Sequence, residues 1–67
     1  MTREDALEMI IGGEKVTHEY FSDDEFIYMK DDDIYTEEGF NMGTVNDEFW
    51  IIRKTEMFDD GWSIYKK

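Results

Sequence analysis

Residues 2–20, TREDALEMIIGGEKVTHEY, change their apolar period halfway, and that change sets the fold class. Ahead of Gly12, residues Ala6, Leu7, Met9, Ile10 and Ile11 recur at spacings of three and four, which predicts a helix over residues 2–11 with one apolar face. Thr2 is a good N-cap, and Asp5 three residues on makes a weak capping box. Glu4 and Asp5 suit the positive end of the helix dipole. Gly12-Gly13 ends the helix, because glycine takes the left-handed cap conformation without a steric penalty. After Gly13 the period is two, with Val16, His18 and Tyr20 on one side of a strand over residues 15–20.

Outward from that stretch, turns and short strands alternate. Ser22-Asp23-Asp24 reads as a turn, residues 25–30 as a strand rich in Phe26, Ile27, Tyr28 and Met29, and Asp31-Asp32-Asp33 as a second turn. Residues 34–36 resume as a short strand, Glu37-Glu38-Gly39 turns again, Phe40 and Met42 alternate, and residues 43–47 form a loop. Residues 48–55 give the clearest strand pattern. Phe49, Ile51 and Arg53 face one way; Trp50, Ile52 and Lys54 face the other. Asp59-Asp60-Gly61 carries the Asp-Gly hairpin signal. Residues 62–66 close the chain, with Trp62 and Ile64 opposite Ser63 and Tyr65. The absence of proline fits closely paired strands. The expected fold class is α+β, with one N-terminal helix packed on an antiparallel meander of about five strands, each covering the other's apolar face. No linker or repeat divides the chain, so residues 1–67 read as a single domain.

At 67 residues the core is small, and with no cysteine neither a disulfide nor a cysteine-based metal site can staple it. Oligomerisation, as in a homodimer, is the common staple that remains. The aromatic share of 16% is too high for a disordered acidic tail, so the chain folds despite its charge. Eighteen acids stand against seven lysines and arginines, a formal net charge of −11. Such a chain is a poor direct ligand for DNA, RNA or an anionic membrane, which all demand positive charge. It suits a basic partner instead. The opening residues have an acidic n-region and only a short apolar run, unlike an export signal. No segment approaches the ~20 apolar residues of a membrane span. The expected location is the cytoplasm.

Catalytic constellations are scarce. His18 is the single histidine, and its place in a strand beside aromatics reads as packing. Ser22 and Ser63 lack a nucleophile-elbow context. Read as a calcium loop from Asp31, the sequence has Tyr35 and Thr36 where an oxygen ligand and a glycine belong. Gly12-Gly13 lacks the further glycines of a phosphate cradle. No enzyme activity, cofactor or metal is expected. The aromatics outnumber what one face of a thin sheet holds, so some belong on the second face, where tyrosine and tryptophan serve interfaces. The acids gather in turns, and alternate turns of a meander share one end of the sheet. Carboxylates spaced that way resemble the phosphate charge of a duplex and would steer onto a basic groove. The residues expected to meet a partner are Asp23, Asp24, Glu25, Asp31, Asp32, Asp33, Glu37 and Glu38, with Tyr35 and Trp50 as aromatic anchors.

The order of features resembles small bacteriophage proteins. A Thr-Arg-Glu-Asp-Ala-Leu-Glu helix leads into Gly13-Glu14-Lys15-Val16; the aromatic pair Tyr20-Phe21, a Phe-Ile-Tyr strand and a closing Asp-Gly-Trp follow. Together they resemble the phage domain of unknown function that includes sponge proteins opposing the Thoeris defence. The likeness covers the first thirty or so residues and the last six. In composition the chain is also similar to phage-encoded nucleic-acid mimics, among them inhibitors of CRISPR effectors, restriction enzymes and DNA-repair enzymes. The expectation is an anti-CRISPR-like or nuclease-inhibiting protein acting in the host cytoplasm on a basic nucleic-acid-binding host protein. The alternatives are a homo-oligomeric sponge for a nucleotide signal, with Arg3, Lys15, His18, Arg53 and Lys54 as phosphate donors, and a protein that merely assembles.

Overall fold

The computed structural model describes residues 1–66. Helix α1 spans Arg3–Ile11 and is framed by the two caps its sequence encodes. The Asp5 N–H donates to Thr2 Oγ1 at 3.1 Å and the Thr2 N–H donates to Asp5 Oδ2 at 3.3 Å, a complete capping box. At the other end the Gly13 N–H donates to Ile10 O and the Glu14 N–H to Met9 O, the paired bonds of a Schellman cap. Gly13 supplies the φ of +96° that this cap requires. Ala6 and Ile10 are buried, whereas Ile11, read as part of the apolar face, is 64% exposed because it lies on the last turn, past the sheet.

Four short strands follow: β1 Val16–His18, β2 Ile27–Lys30, β3 Asp33–Thr36 and β4 Trp62–Ile64. Their order across the sheet is β3-β2-β1-β4, and every neighbour is antiparallel. The architecture is therefore α+β, with four strands where about five were expected. The connectivity is a Greek key and not a meander, since the fourth strand returns to lie beside the first. Residues 40–43 come close to a fifth strand. Thr36 N–H donates to Phe40 O, Met42 N–H to Ile34 O and Ile34 N–H to Gly43 O, which closes the outer edge of β3 with a single bridge at Asn41.

The larger departure lies at residues 48–55. The run read as the clearest strand holds one turn of helix, α2 Glu48–Ile51, followed by a 3-10 turn over Glu56–Phe58. Asp47 sets it up by accepting the Thr44 N–H at 2.7 Å through Oδ2, and Trp50 then drops into the core 5.5 Å from the Trp62 ring. Ile51 and Ile52 stay 46% and 56% exposed, so the apparent alternation never met a sheet. Asp59-Asp60-Gly61 consequently joins a 3-10 turn to β4 and closes no hairpin.

Ala6, Ile10, Val16, Ile27, Ile34, Trp50 and Trp62 form the buried core between α1, α2 and one face of the sheet. Full burial of each valine or isoleucine side chain among them is worth about 1.5–3 kcal/mol. His18 is buried with them. Tyr20, expected on the same side of the strand, lies beyond the end of β1 and is 61% exposed. No helix among the described residues is long and apolar enough to cross a membrane.

Candidate functional site

Side chains alternate across a sheet, so the burial of Ile27, Ile34, Val16 and Trp62 puts Tyr28, Tyr35, Thr17 and Ser63 on the opposite face. There the aromatics make a continuous row. Tyr35 stacks on its cross-strand partner Tyr28 with centroids 5.7 Å apart and planes 17° apart. Tyr28 meets Phe26 at 6.2 Å, and Phe26 meets Tyr65 at 4.5 Å. The row spans from β3 to β4. Lys15 Nζ sits 4.9 Å over the Phe26 ring. Trp50 and Phe58 direct their ring contacts to His18 and Trp62 on the other face.

Charge is distributed along the strand axis. β1 and β3 run the same way, so the connections after them leave the sheet at one end, and β4 enters from that same end. This end collects Glu19, Asp23, Asp24, Glu25, Glu37, Glu38, Asp59 and Asp60. The opposite end holds Glu14, Asp31, Asp32 and Asp33 together with Lys15, Lys30 and Lys66. The loops of the acidic end carry eight carboxylates, with the Met1 ammonium 3.5 Å from Asp60 and the Arg53 charge acting on Glu25.

The expected contact residues thus divide. Asp23, Asp24, Glu25, Glu37 and Glu38 gather at the acidic end. Asp31 and Asp32 form the β2–β3 hairpin at the other, with φ of 53° and 69°, and Asp33 opens β3. Asp33 and Tyr35 share the outer face, where Asn41 Nδ2 donates to Asp33 Oδ2 at 3.0 Å and to Tyr35 OH at 3.4 Å. Trp50 is not an anchor for a partner. It is 2% exposed, because helix α2 turns it inward, and its carbonyl and ring are already held by Arg3. Asp59 and Asp60 were read as a hairpin turn and Glu19 as a strand residue, so none of the three was among the expected contact residues.

Several of these acids are also structural. Glu25 Oε1 accepts the Ser22 N–H at 3.1 Å and fixes the β1–β2 turn. Asp60 Oδ1 accepts the Gly61 N–H at 2.9 Å and lies 3.5 Å from the Met1 ammonium. The Gly61 hydrogen bond first, then the ammonium charge, hold the Asp60 carboxyl below its ordinary range.

Arg3, Arg53 and His18 are occupied within the fold. Arg3 donates to Trp50 O at 2.8 Å with its guanidinium 4.5 Å over the Trp50 ring. Arg53 donates to Phe49 O at 2.7 Å and stacks 3.9 Å over Phe49. Burial lowers the Arg53 pKa from its ordinary value, against the opposing charge of Glu25. His18 spans Asp60 O and the Tyr20 N–H. Of the donors a phosphate ligand would need, only Lys54 is left without such a role among those named. No group of three or more His, Cys, Asp or Glu among the described residues is arranged to hold a metal ion. No protein-family model, curated protein or solved structure matches the chain.

Proposed function

We propose that this protein is a non-enzymatic inhibitor that docks its acidic end on a basic, nucleic-acid-binding host protein and occupies the groove where nucleic acid lies. The observation that carries the reading is the gathering of eight carboxylates in the loops at one end of the four-stranded sheet. Arg3 and Arg53 are anchored on backbone carbonyls and aromatic rings and keep their charge, Arg53 opposite that of Glu25, so they offset part of that field. A phage-borne accessory protein working in the host cytoplasm, of the kind that blocks CRISPR effectors or nucleases, is the setting this reading fits. The occupied state of Arg3, Lys15, His18 and Arg53 weighs against a nucleotide sponge.

The test is competition. The chain is incubated with candidate basic nucleases bound to labelled duplex, and release of the duplex is followed at 50 and 300 mM salt. Stoichiometric release that fades steeply with salt supports the reading. Binding that leaves the duplex in place, or that ignores salt, overturns it.

A further inference from the structure

We propose that the Tyr28–Tyr35 pair on the outer face of the sheet, with Asp33 beside it on β3, receives an arginine side chain of the basic partner. This rests on the docking reading above and names the chemical group recognised.

The fold itself supplies the pattern. Arg3 and Arg53 each combine a ring face with an oxygen acceptor: Trp50 at 4.5 Å with a carbonyl at 2.8 Å, and Phe49 at 3.9 Å with a carbonyl at 2.7 Å. Lys15 lies over Phe26 in the outer row. Guanidinium is planar and weakly hydrated, so it stacks on rings while forking its N–H groups to an acceptor. Tyr28 and Tyr35 repeat the ring half of that arrangement, nearly parallel at 17° and half-buried by one another. The acceptor half stands on the same face. Alternation along β3 sets Asp33 and Tyr35 in one file, and Asn41 fixes both Asp33 and the Tyr35 hydroxyl. No cation among the described residues is seated on these two rings, with Lys30 across from Asp33 at the edge of the pair, while the net charge of −11 selects a cationic occupant. Tyr35 lies two residues before Glu37 of the acidic end, so one partner surface can meet both.

The probe is a pair of peptides of equal length and charge, hepta-arginine and hepta-lysine, titrated at 50 mM salt. Hepta-arginine should bind about tenfold tighter and shift the ring resonances of Tyr28 and Tyr35 in the unmodified chain, where hepta-lysine leaves them in place. Tyr35→Leu and Asp33→Asn should each erase the preference without changing hepta-lysine affinity. Equal affinities, unmoved tyrosine resonances or a preference that survives both substitutions would overturn the arginine site and leave the docking reading standing. Failure of both peptides to bind would remove the docking reading as well.

Discussion

His18 and Asp60 are joined by a 2.7 Å hydrogen bond from the imidazole Nε2 to the Asp60 carbonyl. The Nδ1 atom accepts the Tyr20 N–H at 3.0 Å, so the proton of the neutral ring belongs on Nε2. The ring lies 4.6 Å from Phe58 and 4.9 Å from Trp62. One side chain thereby ties the acidic loop before β4 to the loop after β1. Replacing it with a hydrocarbon leaves the part-buried Tyr20 N–H and Asp60 carbonyl without this partner. His18→Leu should lose about 2–4 kcal/mol in urea unfolding, much of the stability of so small a domain. A loss under about 0.5 kcal/mol would show that these two bonds contribute little.

The hairpin at Asp31 and Asp32 has both central residues at positive φ, 53° and 69°, the signature of a type I′ turn. Aspartate tolerates that region and glycine prefers it. Asp32→Gly produces the favoured Asp-Gly pair and removes one like charge. It should stabilise by about 1 kcal/mol, raising the melting temperature by roughly 4–8 °C. A lower melting temperature would mean the Asp32 side chain contributes more than its backbone costs.

The legible parts of the fold were those with local chemistry. Thr2 with Asp5, and Gly12 with Gly13, encode α1 through bonds that span only a few residues, and the sequence reading matches the caps closely. The period of two exposed β1, β2 and β3 for the same reason. Residues 48–55 misled because four residues of helix make barely one turn, too short for a 3.6 period to emerge from Phe, Trp and Ile, which also favour strands. What decided that segment is non-local: Trp50 packing on Trp62 and the Arg3 guanidinium over its ring. The candidate surface was legible in kind and not in place. Alternate turns were expected to share an end of the sheet, and Asp23-Asp24 and Glu37-Glu38 lie at one end. The Greek-key return of β4 was not read, so Asp59 and Asp60 were missed and Asp31-Asp32 were grouped with acids at the far end.

Salt should act with opposite signs on the fold and on its complex. Self-repulsion among the eight carboxylates of the acidic end is screened as the Debye length falls from about 30 Å at 0.01 M to about 3 Å at 1 M. The melting temperature of the isolated chain should therefore rise with sodium chloride, while affinity for a basic partner falls. Asp23→Lys combined with Glu38→Lys should imitate the first effect and abolish the second, raising thermal stability and ending duplex release. Asp32→Gly, at the other end, should leave release unchanged. Release that survives the double reversal would place the contact elsewhere on the surface.

Acid should reveal the role of Asp60. Its carboxyl titrates below the ordinary value of 3.8, first because it accepts the Gly61 N–H and then because of the Met1 ammonium. A carboxyl whose folded pKa lies below its unfolded one contributes stability above the unfolded value and loses it as pH falls through the folded value. The gap in urea midpoint between the unmodified chain and Asp60→Asn should hence be level from pH 7 to about 5 and close toward pH 2. The comparison is made as a difference because protonating the other carboxylates relieves repulsion in both chains and raises both midpoints together. A gap that stays constant down to pH 2 would show that the amide replaces the carboxylate bond to Gly61 without using its charge.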